Sequence, residues 1–222
     1  MDKYTIVAAA PADSDRTDEA GARMMARHVA AALELDCAGL VVNLLDPAGR
    51  GPREEQPTPD DETAILGVTE VWVPDGRAVD PAGFGGDWFY RVESHRQKSR
   101  PRDWDLGTPS PGIKTIFGVV RKAPEAAEFR AAWLDGHVPL ALRHHVGMCA
   151  YETDVVVESP AGALALDGFS QLHFPSEVDF AERFYDDDLG RVEIEADVAS
   201  FVASAVGWEV TEYILIDPPA AP

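Results

Sequence analysis

The sequence predicts an α+β fold made of two β-α-β-β-α-β units in one chain. Three observations predict it: a turn-rich stretch near the middle, the same series of apolar strands and helices on either side, and an aromatic stripe at helical spacing in the second half. The stretch Ser99–Gly112 (Ser-Arg-Pro-Arg-Asp-Trp-Asp-Leu-Gly-Thr-Pro-Ser-Pro-Gly) carries turn-forming residues at its end and reads as a linker. It divides the chain into residues 1–98 and 113–217.

The first half opens with a strand over Lys3–Ala10 and a helix over Thr17–Leu35, whose Thr17, Asp18 and Glu19 suit a helix N-terminus. The second opens with a strand over Ile113–Val120 and a helix from Pro124, with Glu125 and Glu128 in its first turn. Tyr4-Thr5-Ile6-Val7 aligns with Lys114-Thr115-Ile116-Phe117 at an offset of 110, and His28-Val29 with His137-Val138 at 109. The second strands, Ala38–Asn43 and Val146–Tyr151, align at 108, and the third, from Gly67 and Gly168, at 101. Tyr90-Arg-Val92 parallels Trp208-Glu-Val210. Slowly drifting offsets in constant order are what loop insertions in a duplicated unit produce.

The second helix of each unit is expected to differ. Ser176 and Asp179 make a capping-box-like start, and a further helix is expected over Arg191–Ala205. The matching Pro74–Gly86 is rich in glycine and proline and predicts a loop or a single turn. Asp46–Glu62 is a polar insertion, a lid or a disordered loop.

Phe129, Trp133 and His137 are four apart and share one stripe of a helix. Pro139, lacking an amide and restricting its predecessor, is expected to stop that helix and leave His137 in its last turn. By itself His137 would read as a C-terminal cap interacting with the helix dipole. The spacing Phe-x-x-x-Trp-x-x-x-His-x-Pro-Leu, met by Phe129, Trp133, His137, Pro139 and Leu140, also resembles the signature of the EthD family of dimeric α+β barrel proteins. Tyr151 and Asp167-Gly168 fit further positions of that pattern. Gln171 stands where the family has Glu, and His173 where it has Trp. The first half keeps Glu70 and Trp72 but has Leu66 where Asp is expected.

The resemblance implies two ferredoxin-like repeats whose bare sheet faces pair within one chain into an intrachain dimeric α+β barrel. Strand alternation then places Ser170, Leu172 and Phe174 under the helices, and Phe169, Gln171, His173, Val68, Glu70 and Trp72 inside the barrel. Such an interior is expected to be an apolar chamber that His137 reaches, and because each half keeps part of the polar set, one composite site is expected. Glu70 and Gln171 read equally well as a structural hydrogen bond. Of the adjacent His144 and His145 at most one can enter a site, the other being solvated.

The 222 residues, 45% hydrophobic and 26% charged, describe a globular protein able to bury a core. Lys plus Arg number 19 against 39 for Asp plus Glu, a formal charge of −20, which argues against nucleic acid and anionic membranes as partners. No basic leader or bilayer-length apolar run is present, so a cytoplasmic location is expected. Cys37 and Cys149 read as buried free thiols. The six histidines lack the i, i+4 pairing of a helix-borne metal site, and no phosphate-binding glycine loop or nucleophile elbow occurs.

Family members are associated with dehydration, decarboxylation, cyclisation and cofactor-free oxygenation of aromatic and polyketide-like compounds. The resemblance therefore implies a cofactor-independent lyase or isomerase acting on a small aromatic substrate by general acid/base catalysis. His137, Tyr151 and His173 are its expected catalytic residues, and Glu70, Trp72, Trp133, His145, Asp167, Phe169 and Gln171 the substrate-binding ones, with no metal and no cofactor. The alternatives are a carrier of a hydrophobic metabolite, a haem-binding barrel and a cofactor-free monooxygenase. A homodimer is possible.

Overall fold

The computed structural model of the chain describes residues 1–9, 18–46, 65–77, 79–85 and 88–220. Eight strands are formed: β1 (Asp2–Ala9), β2 (Gly39–Leu45), β3 (Ile65–Val73), β4 (Trp88–Lys98), β5 (Ile113–Arg121), β6 (Ala150–Glu158), β7 (Gly168–Phe174) and β8 (Val202–Ile216). They close into one barrel in the order β1-β3-β2-β8-β5-β7-β6-β4, and β4 returns to β1. Every pairing is antiparallel, so each strand is bonded on both sides and the barrel has no free edge.

Within the barrel, β4-β1-β3-β2 and β8-β5-β7-β6 follow the same order, joined through β2 with β8 and β4 with β6. The ladders fix how the halves compare. Lys3 lies opposite Trp72 and Lys114 opposite His173, so the first strands correspond at 114 − 3 = 111, one more than the sequence alignment gave. That single residue matters, because a slip of one exchanges the faces of a strand. Gly39 and Ala150 also lie opposite Trp72 and His173, so the second strands correspond at 150 − 39 = 111 rather than 108. Val146–Cys149, expected in strand, form the turn that leads into β6.

Helix α1 (Asp18–Glu34) buries Ala20, Met24, His28, Ala31 and Ala32 against the first sheet, positions three and four apart as a single buried face requires. Its expected N-terminal Thr17 lies outside the described residues, as does the polar insertion 46–62 beyond Asp46. The first half has only a 3₁₀ turn, Pro81–Phe84, where the second has α4 (Glu177–Glu182) and α5 (Asp188–Phe201). Ser176 caps α4 by accepting from the Asp179 amide at 3.1 Å, and Asp187 caps α5 by accepting from Gly190 at 2.8 Å. The last helix thus runs earlier than the expected Arg191–Ala205, and β8 begins at Val202.

Pro139 does not stop its helix. α2 (Ala126–Ala131) widens into a π-helical turn, Ala132–His137, and continues as α3 (Val138–His144), with Pro139 in the first turn of α3. The Val138 amide reaches back five residues to the Trp133 carbonyl. A π turn resets the ladder by one residue, so the missing proline amide falls at a new helix start, where proline is tolerated. His137 is consequently a mid-helix residue.

One apolar cluster fills each helix–sheet layer, around Met24, Phe84 and Phe89 in the first half and Phe129, Trp133, Phe174 and Phe201 in the second. A third lies inside the barrel around Tyr90, Phe169 and Trp208. Gly168 is required where β7 passes beneath Trp133: a Cβ there would lie 2.3 Å from Trp133 Cζ3 and 2.8 Å from the Asp154 carbonyl oxygen. Gly168→Ala is therefore expected to displace the indole and cost about 1–3 kcal/mol in urea denaturation, the usual penalty of overpacking.

Candidate functional site

The inward faces of the strands place Lys3, Glu70, Lys114, Glu152, Asp154, Gln171 and Glu212 together at one end of the barrel. Lys3 Nζ pairs with Asp154 at 2.8 Å, with Glu70 at 2.7 Å and with Glu152. Lys114 bridges Glu70 at 3.2 Å and Glu212 at 2.8 Å, and Gln171 donates to Glu70 at 3.0 Å and Asp154 at 2.8 Å. Burial opposes the charge on Glu70, but Lys114 and Lys3 outweigh it and hold the carboxyl well below its ordinary range. Burial pushes Asp154 up to about 6, since Lys3 is shared with two acidic neighbours, Glu152 and Glu70. The interior at this end is an ionic core, not the expected apolar chamber. Oxygens of Glu70, Glu152 and Asp154 come within 4.8 Å of one another as a divalent-ion site requires, but the Lys3 ammonium sits among them.

A cavity of about 110 Å³ lies on the other side of the barrel wall, between β5–β8 and the helices of the second half. Trp133, His137, His145, Tyr151, Phe184 and Phe201 are among its lining residues, and all of them come from residues 117–205. This cavity is thus no composite of the halves, whereas Glu70 and Trp72 of the first half and Tyr151, Gln171 and His173 of the second together line the mouth of the barrel. At the corresponding place in the first half, His28 is fully buried, 2.7 Å from Thr69 Oγ1 and 3.1 Å from the Phe84 carbonyl, with its ring against Phe84.

Within the second-half cavity His137 Nδ1 is 2.9 Å from Asp197 Oδ2. A carboxylate only accepts, so Nδ1 carries the proton and Nε2 is the basic nitrogen of the neutral ring. Burial lowers the His137 pKa and Asp197 pulls it back, so the ring is neutral near pH 7. His145 Nδ1 donates to the Phe184 carbonyl at 2.7 Å, which leaves its Nε2 as an acceptor too, and burial lowers its pKa to about 4. Tyr151 is 1% exposed and burial pushes its hydroxyl up to about 12, so it is a phenol donor. Trp133 and Ser170 lie near enough to offset that rise in part, but among the described residues the hydroxyl makes no hydrogen bond of normal geometry, an arrangement that is costly unless a ligand or water completes it.

The sheet thus divides the expected site residues. His137, Tyr151, Trp133 and His145 share the helix-side cavity. His173 lies inside the barrel, with Arg100 Nη2 at 2.9 Å and Glu212 at 3.6 Å, because adjacent residues of a strand face opposite ways and Leu172 takes the helix side. Glu70, Trp72 and Gln171 line the barrel mouth, with Lys3 4.8 Å from the Trp72 ring centre. Phe169 packs edge-on against Tyr90 in the interior, and Asp167 accepts from the Arg121 amide at 2.8 Å. His144 is held by Asp186 at 2.9 Å and Glu193 at 3.2 Å, buried rather than solvated.

Asp197 is the residue that sequence reasoning missed. Its signal was present: Ile194, Val198 and Phe201 form an apolar stripe at i, i+4, i+7 that lines the cavity, and Asp197 is an acid interrupting that face.

The two strongly depressed histidines, His145 and His173, each about 4, set an acid limit to stability. The unfolded chain protonates them near 6.5 and the fold only near 4, so stability present above 6.5 is lost as pH falls through that window. Asp154, raised to about 6, acts in the opposite sense. Two protons against one leave a net loss on acidification of about 1.4 kcal/mol per pH unit where the windows overlap. Urea denaturation at pH 7 and pH 5 is expected to show a lower midpoint at pH 5.

The chain closes eight antiparallel strands into one barrel with helices outside it. Solved structures match this fold along nearly its whole length. An anthrone oxidase-like protein matches with TM-score 0.56 at 13% identity, over 100% of this chain and 95% of its own. A protein of Lactobacillus acidophilus NCFM provisionally named a monooxygenase gives 0.50 at 10% identity, over 95% and 92%. Another so named, from Fusobacterium nucleatum subsp. nucleatum, gives 0.51 at 8%, over 96% and 91%. At such identities the likeness is one of fold. No protein-family model and no curated protein matches the sequence. Among the described residues no helix is long and apolar enough to cross a membrane.

Proposed function

We propose that the protein is a cofactor-independent enzyme in which the His137–Asp197 pair removes a proton from a small aromatic or polyketide-like substrate held in the helix-side cavity. The observation that carries this reading is a neutral histidine, oriented by a half-buried carboxylate, lining the same apolar space as the buried Tyr151 phenol. His137 Nε2 takes the proton, Asp197 stabilises the imidazolium, and Tyr151 donates to the oxygen on which negative charge develops. The resulting enolate or phenolate can then be reprotonated elsewhere, expel a leaving group, or react with dioxygen. The first two outcomes are isomerase and lyase chemistry. The names of the fold neighbours, two provisionally named monooxygenases and an anthrone oxidase-like protein, support the third, an oxygenation.

The EthD-like spacing of Phe129, Trp133 and His137 supports the same assignment, and the shared strand order of the halves supports their origin by duplication, with the site kept in one of them. At about 110 Å³ the cavity has room for no more than about one ring, since roughly 150 Å³ of apolar cavity holds benzene. Haem does not fit it: about 110 Å³ is well below the roughly 300–1,000 Å³ of pockets for larger ligands.

Mass spectrometry of the small molecule that co-purifies with the native protein, followed by turnover assays on it with and without dioxygen, tests the reading. Turnover that His137→Ala abolishes while binding survives is the expected result. Binding without turnover of any co-purified compound would make the protein a carrier.

A further inference from the structure

We propose that the open end of the barrel is a second ligand site, separate from the helix-side cavity, that binds a small aromatic carboxylate between Arg100, Lys98 and the indoles of Trp72 and Trp104. A cavity of about 240 Å³ opens there, larger than the one that contains His137. Five of the chain's 19 lysines and arginines line it, although the chain as a whole carries a charge of −20.

Partner chemistry separates those five. Lys114 is paired with Glu70 and Glu212, Arg96 with Glu152 at 3.4 Å, and Arg102 with Asp217 through two bonds of 3.0 and 2.9 Å. These pairs account for all four carboxylates on the cavity wall. Lys98 and Arg100 remain, and among the described residues every hydrogen bond they make is to a neutral group. Lys98 donates to the Met148 carbonyl. Arg100 donates to the Pro111 carbonyl at 3.0 Å, approaches Cys149 Sγ at 3.9 Å, and meets His173 Nε2 at 2.9 Å. Two cations without an anion therefore face one cavity.

The walls supply the rest. The Arg100 guanidinium lies 4.3 Å from the centre of the Trp104 ring, which fixes its plane, and a planar guanidinium presents paired donors that match a carboxylate. Trp104 Nε1 is buried without a hydrogen-bond partner among the described residues, a further donor on the same wall. Trp72 offers an aromatic surface deeper in. One ring bearing one carboxylate matches this set of paired donors and indole faces, and the volume exceeds the roughly 150 Å³ that holds benzene.

Isothermal titration of the full-length protein with benzoate, and with benzamide as its neutral counterpart, tests the proposal. Benzoate is expected to bind, and benzamide to bind on the order of tenfold more weakly, the difference charge-assisted bonds make. Arg100→Met is expected to weaken benzoate on the order of tenfold, Lys98→Met by less, and His137→Ala not at all. If Arg100→Met fails to fold, Trp104→Leu, which keeps both cations, is expected to weaken benzoate severalfold. No heat with benzoate, equal affinity for benzamide, an Arg100→Met or Trp104→Leu variant that binds normally, or loss of binding in His137→Ala would each overturn it.

Discussion

Lys3→Met is expected to destabilise the protein by about 3–5 kcal/mol, the cost of leaving a buried charge without its partner. Lys3 is 2% exposed and is the shared cation of Asp154, Glu152 and Glu70. Burial alone would lower its pKa. Asp154, Glu152 and Glu70 reverse that and hold it well above the ordinary lysine value, so the ammonium persists at any working pH. Methionine matches the length of the side chain and supplies no charge, so the three carboxylates must share fewer counter-ions or take up protons. The loss should therefore shrink as pH falls from 8 to 5, because carboxyls whose folded pKa has risen above the unfolded value stabilise the fold at lower pH. Urea denaturation across that range measures both effects. A loss below about 1 kcal/mol at pH 8 would mean that the ionic core is held by the barrel walls and not by Lys3.

The second large effect is catalytic. His137→Ala is expected to lower turnover of the co-purified substrate by about 10²–10⁴-fold, the range for a positioned general base, with ligand affinity changed far less. Asp197→Asn keeps the shape but can donate to Nδ1, which shifts the ring proton to Nε2 and removes the base. Its turnover is expected to fall almost as far as that of His137→Ala, and the double variant to be little worse than either, since residues acting as a unit are not additive. Tyr151→Phe should lower kcat on the order of 10-fold or more while leaving the fold intact, because among the described residues its hydroxyl makes no hydrogen bond of normal geometry. Normal turnover in Asp197→Asn would remove the dyad from the mechanism.

Much of the barrel could be read from the chain. The alternation of Phe169, Gln171 and His173 with Ser170, Leu172 and Phe174 put each on the side of β7 that the structure gives it. The spacing of Phe129, Trp133 and His137 put all three on the inner side of the helices, where they are buried. Register was harder. The apolar runs of β1 and β5 match almost as well at 110 as at 111, and only hydrogen bonding to β3 and β7 picks the value that makes Lys3 and Lys114 counterparts. Pro139 misled for a related reason. Its local rule is sound, but a π turn one step earlier satisfies it without ending the helix. Asp197 escaped because an acid on a helix 60 residues away in sequence becomes a partner of His137 only once both helices pack on one sheet.

By itself the sequence determined the α+β class, the alternation of faces along β3 and β7 and the aromatic helix that carries His137, since these follow from periods of two and 3.6 residues along the chain. The tertiary structure alone decided that the barrel wall separates His173 from His137, that lysines and carboxylates occupy the interior where an apolar chamber was expected, and that the cavity holding His137 is built from the second half only. Those outcomes depend on which side of a closed sheet two distant segments meet, and on ion pairs whose partners lie 98 or more residues apart, such as Lys3 with Asp154 and Lys114 with Glu212. Local periodicity carries no information about either.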